Sequence, residues 1–131
     1  MGRLRAALFF KGGIAMTVEE IFSKLATHMA EGVMTHDLFV QAYDFLGLYG
    51  FSKCHEYHYI DEVKGYTELL HYYSIHYHKL LTIEDFPKPN IIPQTWYKYT
   101  TMAVDTNTKR QAIQTMMKKW VEWEQETKKL Y

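Results

Sequence analysis

Prolines occur in this chain only at Pro87, Pro89 and Pro93. Inside a helix a proline removes a backbone hydrogen bond and clashes with the preceding turn, at a cost of about 3 kcal/mol. Long helices are therefore open to the chain before Pro87 and after Pro93, and the cluster itself marks a break. Hydropathy follows the same division. The expected fold is all-α: an antiparallel helical hairpin, a crossing connection, then a third long helix.

Thr17-Val-Glu-Glu20 has the form of a capping box, a hydroxyl followed three residues later by a glutamate. Apolar residues then recur every three or four positions from Val18 to Leu46, and Gly47 and Gly50 punctuate the end. This predicts helix 1 over about 17–47. Helix 2 is expected from an N-cap at Ser52 to Leu81 or Thr82, with Tyr66, Leu69, Tyr73, Tyr77 and Leu80 on its apolar face. Residues 82–106 should form a packed strap, with a short helical turn around 93–99. Helix 3 begins near 105–108 and places Ala112, Ile113, Met116, Trp120 and Trp123 on one face. Residues 1–16 are expected to be a flexible N-terminal extension, and 17–131 the bundle domain. Helix 3 carries no C-cap signal, so it is expected either to fray at its end or to lack a fourth helix that has been lost or is supplied by another chain.

Fifteen basic and fifteen acidic residues cancel, which argues against a nucleic-acid binder, since phosphate contacts need a cationic surplus. The pairs Lys109–Arg110, Lys118–Lys119 and Lys128–Lys129 alternate with Glu122, Glu124 and Glu126, as on a solvated helix face. Cys54 is the only cysteine, so neither an internal disulfide nor a cysteine zinc site can form, and a reducing, cytoplasmic setting is expected. No apolar run reaches the roughly 20 residues that span a bilayer. The rings and methionines exceed what a three-helix unit can cover, so a homo-oligomer, dimer or larger, is expected, without a membrane partner.

Histidines crowd helix 2 at His55, His58, His71, His76 and His78. At about 100° per residue, His55 and Glu62 fall near the centre of its apolar stripe, His58 on the flank, and His71 and His78 outside. Adjacent side chains on a helix diverge by the same angle, so Cys54 and His55 face apart and form no nucleophile pair. On helix 1, His36 lies close to the stripe centre, His28 nearer the edge and Glu31 well off it. With the turn centred on Tyr49, His36 comes level with Glu62, and His58 stands one turn away. The pair reads either as a buried His–Glu hydrogen bond, satisfying two groups costly to bury, or as part of a metal shell.

In this pattern of inward His36 and the segment His55–Glu62 on a hairpin, the chain resembles the ferritin-like superfamily, its Dps-like and bacterial-ferritin-type members above all. It is also similar in style to small proteins of firmicute bacteria and their prophages. The family's Glu-x-x-His motif is not reproduced, because Gly65 stands three residues after Glu62. The resemblance implies metal ligands at His36, His58 and Glu62, with Glu31 and Glu124 as additions. It implies iron, with manganese or zinc as alternatives, and oxidation of Fe(II) by oxygen or peroxide in an assembled oligomer. The alternative is a non-catalytic structural or interaction protein with a polar core pair.

Overall fold

The computed structural model describes residues 9–11, 14–98 and 105–130. Three helices dominate: α1 (Val18–Phe45), α2 (Tyr49–Tyr77) and α3 (Thr106–Leu130). The all-α expectation holds for the body of the chain. Ahead of α1, β1 (Phe9–Lys11) pairs antiparallel with β2 (Ile14–Met16), with Phe9 opposite Met16. This small ribbon lies in the stretch expected to be a flexible extension.

α1 starts as its sequence dictates. Thr17 is extended, and its hydroxyl accepts a hydrogen bond from the Glu20 N–H at 3.1 Å. The helix ends in a Schellman closure: the Leu48 N–H donates to the Tyr43 carbonyl and the Gly47 N–H to the Asp44 carbonyl. Gly47 takes φ +70°, which a residue with a Cβ adopts only at a cost. That closure lets α2 begin at Tyr49 rather than near Ser52, which is buried inside its first turn.

The hairpin is antiparallel, and its register can be read from facing residues. Tyr43 stacks on Phe51, His36 on His58, and Phe22 on Tyr72, while Gly32 abuts Glu62. These pairs are centred on residue 47, not 49. Moving the centre by two residues moves every partner by four, one full turn. The expected levelling of His36 with Glu62 is thereby corrected: Glu62 lies opposite Gly32, and His36 opposite His58.

α2 also stops earlier than expected. His78 adopts the left-handed conformation at φ 54°, and its N–H bonds the Ser74 carbonyl, so the chain leaves the helix after Tyr77. Leu80, expected on the apolar face, is 93% exposed. From there a strap runs back along α1. The Ser23 hydroxyl donates to the Thr82 carbonyl, and the Glu84 N–H donates to Thr27 Oγ1. Farther on, Ile91 and Ile92 insert into the core formed by Leu38, Phe39, Ala42, Ala112 and Met116. Lys119 of α3 pins the strap by donating to the Asn90 carbonyl at 2.6 Å. A short 3-10 turn at Gln94–Lys98 follows, where Trp96 stacks on Phe45. Of the strap expected over 82–106, residues 99–104 lie outside the described residues.

Candidate functional site

Two polar layers sit inside the helical body, one turn apart. The first is made of imidazoles. His36 is wholly buried and His55 almost so, at 2% exposure. Their Nδ1 atoms are 3.0 Å apart, a hydrogen bond in which one ring must donate and the other accept. The ring of His58 stacks on His36 at 5.2 Å between centroids. Phe39 lies against His55 at 4.5 Å, and Trp120 of α3 presents its ring edge-on to His55 and His58.

Burial favours the neutral imidazole here, and crowding by like groups adds to it. His36 is pushed down to about 3, by burial first and then by His55 and His58. His55 is pushed down to about 4, by burial and then by His58. At neutral pH both rings are uncharged, the form in which imidazole binds metals. One valence is left over. His36 Nε2 is buried and has no hydrogen-bond partner among the described residues. Whichever tautomer the ring adopts, that atom is an unpaired donor or an unpaired lone pair, costing about 1–3 kcal/mol.

The second layer is acidic and aromatic. Gly32 gives it room: a Cβ there would lie 2.8 Å from the Trp123 ring and 3.1 Å from Glu62 Oε2. Burial, then the nearby Glu124 and Asp61, raises the Glu62 carboxyl above the ordinary carboxylate range. Glu31 is raised by burial and by Glu126. Neither takes part in the three ion pairs found among the described residues, which join Lys53 to Glu56, Lys79 to Glu19 and Lys129 to Glu126. His28 stacks flat on Trp123 at 3.8 Å. Since the Thr127 hydroxyl donates to the Trp123 carbonyl, it accepts from His28 Nε2, 2.7 Å away. Burial lowers His28, against the pull of Glu126 and Glu124.

The expected ligands are thus divided. His36 and His58 meet in the imidazole layer, and Glu62 falls one turn off. Glu31 lies in the acidic layer, where Glu126 is its charged neighbour. Glu124 is exposed and accepts from Trp120 Nε1 at 3.1 Å on its own helix. As the side chains stand, no three His, Cys, Asp or Glu among the described residues converge on a point that could hold a metal ion. His55 was legible as an inward residue but was not among the expected ligands, and it proves to be His36's closest polar partner. The ring of Trp120, which closes the layer, was legible only as part of an apolar face. His71 and His78 are exposed, as the helical arithmetic expects, and Cys54 is exposed where His55 is buried.

Fold and site together define the class as an all-α protein with a layered imidazole and carboxyl interior. Comparison with protein-family models, curated proteins and solved structures finds no match. No helix among the described residues is long and apolar enough to cross a membrane.

Proposed function

We propose that the protein binds a divalent transition-metal ion between α1 and α2, with imidazoles as its principal ligands. The observation that carries this reading is the wholly buried Nε2 of the neutral His36 ring, left without a partner among the described residues beside the neutral His55. Burying that atom unpaired costs folding free energy, and a bound ion would offset the cost. The acidic layer one turn away supports the same reading, since half-buried carboxyls without a cationic partner favour a cation. Zinc, iron and manganese all accept mixed imidazole and carboxylate shells.

The fit depends on side-chain rotation. His58 and Glu62 are four apart on α2 and share a face, and the shell would close by Glu62 turning from Gly32 toward His36. His36 Nε2 and His58 would form the nitrogen side of the shell and Glu62 its carboxylate, with His55 holding the His36 ring from its Nδ1 side. The reading is one of binding.

Metal analysis of protein purified without an affinity tag, followed by calorimetric titration with Zn(II), Mn(II) and anaerobic Fe(II), tests it. Stoichiometric binding that is lost in both His36→Ala and Glu62→Ala is the expected result. A chain that binds none of the three ions, and whose melting temperature none of them raises, would overturn it.

The other reading is a non-catalytic interaction protein. It is favoured by a different observation, the apolar residues that α2 turns toward solvent.

A further inference from the structure

α2 has two faces of very different character. Its buried residues are Ser52, His55 and Tyr73, all turned toward α1 and α3. On the opposite side Tyr57 is 66% exposed, Ile60 53%, Tyr72 47% and Ile75 53%. Exposed apolar surface of this kind marks a contact site. The arrangement of the residues indicates which partner would cover it.

Tyr57 and Ile75 are separated by five helical turns of about 3.6 residues, so they point in the same direction. Midway between them is Tyr66, whose own side chain points inward. Lys64 and Glu68 lie two residues to either side of that midpoint, both exposed and close to the line joining Tyr57 to Ile75. Asp61 and Tyr72 lie farther out, on one shared flank of the stripe.

Laid antiparallel against itself about this midpoint, the face meets its own complement. Tyr57 packs on Ile75 of the other copy, Lys64 meets Glu68, and the Asp61 carboxylate comes beside the Tyr72 hydroxyl. Each pair occurs twice. That is the condition for an isologous two-fold interface, and an unrelated partner would give no reason for it. The zero net charge of the chain leaves no long-range repulsion between copies.

We infer that this face of α2 docks on the same face of a second copy of the chain, antiparallel, with the two-fold axis level with Tyr66. The surface is independent of the imidazole layer, which lies on the other side of α2.

Sedimentation velocity on the full chain over a concentration series tests the pairing. The wild type should be a dimer. Lys64→Glu alone, or Glu68→Lys alone, places like charges together at two symmetric positions and should raise the dissociation constant roughly tenfold. The exchange variant carrying both substitutions should recover the wild-type dimer. All three variants change exposed residues only, and circular dichroism should report unchanged helix content. A wild type that stays monomeric at every concentration overturns the inference. So does a dimer that neither single substitution weakens, or one that the exchange fails to restore.

Discussion

His36 and His55 share one hydrogen bond between their Nδ1 atoms, 3.0 Å apart, and among the described residues His36 Nε2 has no partner. Two consequences follow for the metal-free protein. Both rings titrate far lower folded than unfolded, about 3 and about 4 against an ordinary value near 6.5. The unfolded chain therefore binds more protons wherever the pH lies between those limits.

Stability of the metal-free chain should be fully supported by these groups above pH 6.5. It should fall as the pH drops through 6 and 5 toward 4. Glu31 and Glu62 act in the opposite sense, since their folded values are raised from 4.5. Their contribution is complete below pH 4.5 and is lost as the pH rises through their folded values. His28, also lowered by burial, acts with His36 and His55, so three lowered imidazoles oppose two raised carboxyls and the net slope on the acid side follows the histidines. Urea denaturation midpoints measured in chelator at half-unit intervals would show it, and a flat profile from pH 6.5 to 4.5 would contradict the assignment.

Removing one member of the pair should cost more than removing both. His55→Leu leaves His36 with no partner at either nitrogen, and His36→Leu strands His55 Nδ1 in the same way. Each stranded polar atom costs about 1–3 kcal/mol, whereas replacing both partners by apolar groups of similar size can be nearly neutral. The double variant His36→Leu/His55→Leu should therefore be more stable than either single one. A double-mutant cycle in chelator gives the coupling directly, and strictly additive losses would mean that the shared bond does not govern the stability of the pair.

The architecture of this core was legible in sequence, but its register was not. Thr17 and Glu20 announce the start of α1, Gly47 its end, and the three prolines the strap that carries Ile91 and Ile92 into the core. The inward placement of His36, His55 and Glu62 follows from helical period alone. Which residue faces which depends on how tightly the turn closes. The backbone bond from Leu48 to Tyr43 fixes that, and no side chain signals it. Because the closure brings the start of α2 forward to Tyr49, Glu62 exchanges His36 for Gly32 as its neighbour. The left-handed His78 is equally silent in sequence, since a glycine is the usual residue there.

Gly32 should be less replaceable than Gly65, the glycine near the middle of α2. In general alanine in mid-helix is favoured over glycine by roughly 0.5–1 kcal/mol. At Gly32 the added methyl would meet the rigid Trp123 ring at 2.8 Å, with Glu62 behind it at 3.1 Å. Overpacking of this kind typically costs about 1–3 kcal/mol, enough to outweigh the gain in propensity. Gly65, also within a helix, makes the contrast. Among the described residues a Cβ there meets only the Met29 terminal methyl, at 2.9 Å, and that flexible end can swing aside. Gly32→Ala should thus lower the urea midpoint, while Gly65→Ala should leave it unchanged or raise it. Equal effects at the two positions would mean that Trp123 and Glu62 do not press on α1 as described. Because Trp123 stacks on His28, the Gly32 variant should also alter the tryptophan fluorescence, which the Gly65 variant should leave alone.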